Sequence, residues 1–243
     1  MKRFRFYLVL LLGAFCTLWS AFPAEAAKAN RTSEKINRIE LVLVLDKSGS
    51  MEGLESDTIG GFNAMIEKEK KLDATVNVTT VLFNDKADIL YDRKDIRTIK
   101  PMTEEEYMVG GTTALLDAVG NTILKVAQTA DIRRKGTKVI FVIITDGLEN
   151  ASEEFTTAKV KKMISDRQEK DGWDFIYLGA NIDAEKEAET IGVAKEKAVT
   201  YSNTPTGVRA NYNAIADYME EAVDGQDENR GRWKDQVEKD ETK

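Results

Sequence analysis

The sequence has no histidine, and its only cysteine is Cys16. A Ser-His-Asp or Cys-His catalytic site therefore cannot be assembled from this chain. A zinc site built from histidine or cysteine is excluded for the same reason. Any metal ion would have to be held by oxygen ligands, which favours magnesium, calcium or manganese.

The chain also has no excess of basic residues. The chain has 35 Lys and Arg against 42 Asp and Glu, a formal net charge of −7. Nucleic-acid-binding proteins usually carry a basic face, so we expect no nucleic-acid partner, and the net charge gives no reason to expect attraction to anionic lipid. The 243 residues suffice for one domain, and the 42% hydrophobic content is typical of a globular protein.

The first 26 residues have the order of a secretory signal peptide. Three basic residues at positions 2, 3 and 5 precede an apolar stretch at 6–22, and Ala24-Glu25-Ala26 matches a small-x-small cleavage site. We expect cleavage after Ala26, with Ala27 as the alternative end, and a mature chain without cysteine. The protein would then lie in the periplasm or cell envelope, or be secreted.

An uncleaved membrane anchor is the alternative interpretation of the same segment. Its apolar stretch is short for a spanning helix, which needs about 20 apolar residues. Both interpretations place the rest of the chain outside the cytoplasm, because the positive flank stays inside. We expect no membrane span in the mature chain.

Strand-like and helical patterns alternate along the rest of the chain. Continuous apolar runs at 39–45 and 138–145 predict strands buried on both faces, and further strands are predicted at 75–83, 88–92, 173–178 and 198–201. Helical spacing of apolar residues predicts helices at 57–70, 115–126, around 160–164, at 184–191 and at 208–223. The turn residues Asn84-Asp85 predict a hairpin. The prediction is an α/β fold: a doubly wound, mainly parallel sheet with one antiparallel edge strand and helices on both faces.

This pattern predicts one domain at residues 38–224. Residues 27–37 are polar and are interpreted as a linker. Residues 225–243 form a charged tail in which Trp233 and Val237 are the only large apolar residues. We interpret this tail as solvated or disordered.

Two aspartates lie at the ends of two of the most apolar strands. Asp46 ends the first run and Asp146 follows the second. Ligands of such sheets bind beyond the carboxyl ends of the strands, where the strand order reverses. Two carboxylates there would repel each other, which would raise the pKa of one of them. A bound cation would relieve both this repulsion and the cost of burying the charges.

The residues after Asp46 support a cation site. Asp46, Ser48 and Ser50 are spaced two apart, and alternate side chains of an extended segment point the same way. Such hard oxygen ligands suit magnesium, which prefers few carboxylates. The alternative is that Ser48 and Ser50 cap the following helix.

A third loop, 110–113, could add a hydroxyl to the same site. It has the sequence Gly-Gly-Thr-Thr and precedes the helix predicted at 115–126. Either Thr112 or Thr113 could instead be a helix N-cap, and Asp146-Gly147 alone could be an ordinary turn. Together, at three strand-edge loops, these residues favour a metal site.

On these motifs the chain resembles the von Willebrand factor type A (vWA) domain family. The segment 46–50 fits the family's Asp-x-Ser-x-Ser motif, 111–118 fits its Thr loop, and Thr145-Asp146-Gly147 fits its later aspartate. The resemblance covers Arg38 to about Val223. The chain most resembles bacterial members that consist of a signal peptide and one domain, and the fold implied is Rossmann-like.

The resemblance implies a metal-ion-dependent adhesion site, or MIDAS. Ser48, Ser50 and a threonine would bind the metal directly, and Asp46 and Asp146 directly or through water. Thr113 matches the family spacing better than Thr112. The cofactor implied is a divalent cation, Mg²⁺ first and Mn²⁺ or Ca²⁺ as alternatives. The partner implied is a protein that presents an Asp or Glu to the cation.

We therefore expect a binding module without catalytic residues, enzymatic activity or a small-molecule substrate. One alternative is a vestigial or structural vWA subunit of an envelope complex. A metal-dependent hydrolase is a further alternative. A haloacid-dehalogenase-like phosphatase would need Asp-x-Asp after the first strand, and Lys47-Ser48 breaks that pattern.

Overall fold

The computed structural model describes residues 35–225, 232–235 and 237. The predicted signal peptide lies outside the described residues, as does the linker up to residue 34. Within the described ranges, no helix combines the length and the apolar character that crossing a bilayer requires.

In the part of the chain that the structure describes, six strands form one sheet in the order β3-β2-β1-β4-β5-β6. All neighbouring strands are parallel except β2 and β3, which form the antiparallel hairpin at one edge. The α/β fold predicted from the sequence is confirmed. The strands are β1 (Arg38–Asp46), β2 (Thr75–Phe83), β3 (Ala87–Asp95), β4 (Thr137–Thr145), β5 (Asp174–Ala180) and β6 (Ala198–Tyr201).

Within the described residues, five α-helices cover the two faces of this sheet. They are α1 (Glu55–Glu69), α2 (Leu115–Ala127), α3 (Thr157–Asp171), α4 (Ala184–Ile191) and α5 (Pro205–Val223). Alternate residues of a strand point to opposite faces. Accordingly, Leu41, Leu43 and Leu45 of β1 pack in the core with α1 and α5, whereas Val42 and Val44 pack with α2, α3 and α4.

The strand order reverses between β1 and β4. From β1 the chain continues to β2 on one side, and β4, β5 and β6 lie on the other side. The register pairs Leu45 of β1 with Ile144 of β4, so both strands end at the same level. Asp46 and Asp146 are therefore delivered to the position at which ligands bind in open α/β sheets.

The interpretation of the tail as solvated or disordered is wrong at Trp233 and Val237. Each is 1% exposed and belongs to the core on the α1–α5 side of the sheet. The ring of Trp233 packs edge-on against Tyr218 of α5, with 5.5 Å between ring centroids. Burial of these two apolar side chains removes apolar surface from water and so stabilises the fold.

Candidate metal-binding site

Asp46 is the last residue of β1 and is only 1% exposed. Its Oδ1 accepts a hydrogen bond from the backbone N–H of Ser48 at 2.6 Å. Its Oδ2 accepts one from the hydroxyl of Thr145 at 2.5 Å, which links the ends of β1 and β4. Because each carboxylate oxygen has two lone pairs, both oxygens keep an acceptor position for a further ligand.

Ser48 and Ser50 continue a chain of hydrogen bonds from Asp46 to Asp146. The two serine hydroxyls lie 3.1 Å apart, and Ser50 Oγ donates to Asp146 Oδ1 at 2.5 Å. The alternative that the serine side chains cap the next helix is wrong. Ser48 precedes a short 3-10 turn at Gly49–Met51 but makes no side-chain capping bond to it, and α1 has Leu54 as its N-cap. The two hydroxyls thus lie between the two carboxylates.

Thr113 is buried in the third loop, whereas Thr112 is exposed. A Cβ atom at position 147 would lie 3.0 Å from Thr113 Oγ1 and 3.4 Å from Ser50 Oγ, so both hydroxyls face Gly147 beside Asp146. Neither threonine caps α2, because its N-cap is Ala114 and no side-chain capping bond is made. Of the two threonines, the buried Thr113 has its hydroxyl next to the other predicted ligands.

Burial dominates the electrostatics of the two aspartates. It raises the pKa of Asp46, and hydrogen bonds from Thr145 and Ser48 only partly offset this; the neighbouring charge of Asp146 raises the pKa further. Burial likewise raises the pKa of Asp146, opposed by the hydrogen bond from Ser50. The site therefore disfavours its own negative charge, as expected for a centre that a cation completes.

Backbone hydrogen bonds hold the first and third loops together. The N–H of Gly49 donates to the carbonyl of Gly111 at 3.1 Å, and the N–H of Gly110 donates to the carbonyl of Lys47 at 2.9 Å. Gly111 has φ = 82°, a left-handed conformation that favours glycine. The Asp46–Ser50 loop and the Thr113 loop are thus paired by backbone, independently of any metal.

Two acidic side chains connect α2 to the loop after β4. Asp117 accepts hydrogen bonds from the backbone N–H groups of residues 153, 154 and 155. Glu149 accepts from Leu116 N and from the Ser152 hydroxyl. These carboxylates thus hold the start of α2 against the loop after β4.

Three side chains that sequence reasoning missed contact the site. Thr145 bonds Asp46; the hydroxyl of Tyr107 donates to the Asp46 carbonyl at 2.5 Å; and Asn203 Nδ2 lies 3.4 Å from Asp146 Oδ2. Asn203 follows β6 at the same edge of the sheet. Its position after a predicted strand could therefore have identified it as a candidate site residue. No pattern in the sequence pointed to Tyr107.

The donor set fits a hard divalent cation. Asp46, Ser48, Ser50, Thr113 and Asp146 supply two carboxylates and three hydroxyls, all oxygen. In the part of the chain that the structure describes, no group of three or more His, Cys, Asp or Glu side chains could hold a metal. A mixed set with few carboxylates suits Mg²⁺, which retains waters and takes one or two protein carboxylates.

Solved structures with this fold come from diverse organisms. The proximal thread matrix protein 1 of the mussel byssus is 16% identical, with a TM-score of 0.53, and the match covers 74% of this chain and 45% of that one. A von Willebrand factor type A structure from Catenulispora acidiphila is 14% identical, with a TM-score of 0.53 and coverages of 77% and 43%. Manganese-loaded Plasmodium vivax TRAP protein is 14% identical, with a TM-score of 0.56 and coverages of 78% and 74%.

At these identities the structural matches establish the fold alone, and the chain spans less than half the length of the first two structures. A search of curated protein sequences gives no significant match. The model of the von Willebrand factor type A domain matches residues 40–214, well over half of the sequence. The chain therefore belongs to the von Willebrand factor type A domain family.

Proposed function

We propose that this protein is a metal-dependent binding module and not an enzyme. A divalent cation, Mg²⁺ in the first instance, would be held by Asp46, Ser48, Ser50, Thr113 and Asp146. A protein partner would supply an Asp or Glu carboxylate to the same cation. The observation that carries the proposal is the convergence of these five side chains from three loops at the switch point of the sheet.

The electrostatics of the two aspartates support a bound cation. Hydrogen bonds through Ser48 and Ser50 link Asp46 to Asp146. Burial raises the pKa of each carboxyl. A divalent cation would compensate both carboxylates at once. The manganese-loaded TRAP protein, which has the same fold, supports a divalent ion of this kind.

Exposed apolar side chains beside the site support a protein partner. Met108 is 68% exposed in the loop that leads to Gly110, and Leu148 is 55% exposed just after Gly147. Large exposed apolar side chains near a polar site are typical of surfaces that bind proteins. A small polar ligand would make little use of them.

Isothermal titration calorimetry of the purified full chain with MgCl₂ and MnCl₂ tests the cation site. We expect one ion per chain, and we expect Asp46→Ala to weaken binding at least a hundredfold, about 2.7 kcal/mol or more. Asp166→Ala, at a half-buried carboxylate of α3 that pairs with Lys162 and Lys170, is the control and should bind like the wild type. A wild-type chain that binds neither ion would favour the vestigial or structural subunit.

The two threonines of the third loop give a matched pair. Thr113→Ala should weaken Mg²⁺ binding, because its buried hydroxyl faces Gly147 and Ser50. Thr112→Ala removes an exposed hydroxyl and should leave binding unchanged. Equal effects of both substitutions would contradict the proposed ligand set. Far-ultraviolet circular dichroism of each variant checks that the fold is retained.

A pull-down from the envelope fraction of the native host tests the partner. The partner should be retained with Mg²⁺, be released by chelator, and fail to bind the Asp46→Ala chain. We also infer export from the motif in residues 1–26, and the amino-terminal sequence of the mature protein checks this. We expect it to begin at Ala27, and a chain that still begins at Met1 would support the anchor instead.

A further inference from the structure

A cavity of about 530 Å³ lies at the opposite edge of the sheet from the metal-binding site. It is formed where β1, β2 and β4 begin, together with the turn after β3. Arg38 opens β1 and Asp46 ends it, so the nine-residue strand separates the two sites by about 26 Å. Six of its lining residues carry the argument: Asn37, Arg38, Asp73, Arg97, Arg134 and Lys135.

The lining is strongly cationic in a chain whose net charge is −7. Arg38, Arg97, Arg134 and Lys135 contribute four positive charges, and Asp73 contributes one negative charge. This local excess of +3 contrasts with the acidic character of the whole protein. Four cations around one cavity repel each other, and a bound anion would offset that repulsion.

These four cations differ from most other basic residues of the described chain in having no partner. Their side chains make no hydrogen bond and no ion pair within the described residues. By contrast, Arg93 binds Glu40, Arg133 binds Asp171 and Arg209 binds Asp57. Asp73 is likewise without an ion pair in the described structure, so it does not neutralise the arginines. The hydrogen-bonding capacity of three guanidinium groups is thus open to a ligand.

The strand register adds an unused hydroxyl on the same face. Arg38 is paired in register with Thr75 on β2 and with Thr137 on β4. In-register residues of parallel strands point to the same face of the sheet, and Thr75 lines the cavity. The hydroxyl of Thr137 is buried and has no hydrogen-bond partner among the described residues.

We propose that this cavity binds a small anion that carries two or more phosphate groups. Guanidinium groups match phosphate oxygens in paired hydrogen bonds. Three of the four cations that line the cavity are arginines, which suits such a ligand. The volume lies within the range of small-molecule sites and exceeds the need of a single phosphate. The named lining residues are all polar and include no aromatic ring on which a base could stack, so the phosphates are the recognised part.

Calorimetric titration of the full chain with sodium pyrophosphate tests the cavity. EDTA in the buffer removes divalent cations, so that failure of the metal-site proposal would not affect this result. We expect one pyrophosphate per chain, binding that weakens with added salt, and at least tenfold weaker binding by Arg97→Gln/Arg134→Gln. Both arginines are exposed, and their replacement should leave the fold intact.

A charge-matched variant separates a built site from general attraction. Lys86→Gln/Lys186→Gln removes two exposed positive charges away from the cavity and should bind pyrophosphate within twofold of the wild type. Equal weakening in both double variants would overturn the proposal, as would a wild-type chain without pyrophosphate binding.

The same phosphate chemistry could belong to a soluble molecule or to a lipid headgroup. Co-sedimentation with phosphatidylcholine vesicles, with and without cardiolipin, whose headgroup carries two phosphates, distinguishes the two sources. Vesicle binding that pyrophosphate competes away, and that Arg97→Gln/Arg134→Gln loses, assigns the cavity to headgroups. Pyrophosphate binding without such competition assigns it to a soluble ligand.

Discussion

Glu69 makes the stability of this domain depend on pH. It is the last residue of α1, is 2% exposed, and neither of its carboxylate oxygens has a hydrogen-bond partner in the described structure. Burial raises its pKa to about 7, and the charges of Glu220 and Asp217 on α5 add to this effect, while Lys68 opposes it. An ionised Glu69 therefore destabilises the folded state.

The size and direction of the effect follow from the shift in pKa. The change from 4.5 to about 7 is about 2.5 units, and at 1.36 kcal/mol per unit it corresponds to about 3 kcal/mol. Between these pH values the folded state binds more protons than the unfolded state. The free energy of unfolding should therefore fall as pH rises from about 4.5, and level off above about 7.

Glu69→Gln removes this titration while keeping the size of the side chain. Urea unfolding of the full chain in EDTA should find the variant more stable than the wild type at pH 8, by up to about 3 kcal/mol. The difference should shrink steadily toward pH 4.5, where the wild-type carboxyl is neutral when folded. The chelator keeps any contribution from the metal site out of the comparison.

Glu67→Gln is the matched control on the same helix. Glu67 is exposed and pairs with Lys70, so its replacement should change stability by less than about 0.5 kcal/mol at every pH. If Glu69→Gln gives a difference that does not vary with pH, or no gain at pH 8, then Glu69 is not a buried, unpaired carboxyl and the reasoning fails.

Two further substitutions test the site and the tail. Gly147→Ala places a Cβ 3.0 Å from Thr113 Oγ1, and the displaced hydroxyl should weaken Mg²⁺ binding about tenfold in calorimetry. Trp233→Ala removes a buried ring from its contact with Tyr218 and should lower the free energy of urea unfolding by about 3–5 kcal/mol.

Each of these substitutions has a control elsewhere in the chain. Gly60→Ala adds a Cβ that meets nothing within 4 Å, and it should leave Mg²⁺ affinity unchanged. Leu124→Ala removes an apolar side chain that is 48% exposed and should cost well under 3 kcal/mol. A Trp233→Ala chain as stable as the wild type would mean that the tail does not contribute to the core.

The sheet was predictable from the sequence because its central strands are buried on both faces. The apolar runs at 39–45 and 138–145 lie within β1 and β4, and each observed strand is at most two residues longer than its run. Helix α4 was predicted with its observed bounds, Ala184–Ile191, because the polar and glycine residues around it mark both ends. In these segments the local pattern and the tertiary burial agree.

Buried residues in the tail and in the long loop before α2 were harder to predict from the sequence, for a physical reason. Trp233 and Val237 lie among charged residues, so the average composition of 225–243 gives no indication that these two side chains are buried. Tyr107 is buried in a segment without helical or strand periodicity. Single anchoring contacts of this kind leave no repeating pattern, and pattern analysis therefore misses them.

The residues of the candidate site likewise include some that the sequence could place together and one that it could not. Asp46 and Asp146 could be placed together from the sequence alone, because the two doubly buried strands belong at the centre of the sheet and end at the same edge. Thr113 could not be placed in this way. Its position depends on the backbone bonds between Gly49 and Gly111 and between Gly110 and Lys47, at the end of a loop that no strand pairing constrains. Only the resemblance to a family selected Thr113 over Thr112, and the comparison of Thr113→Ala with Thr112→Ala is therefore the sharpest test of what that resemblance implies.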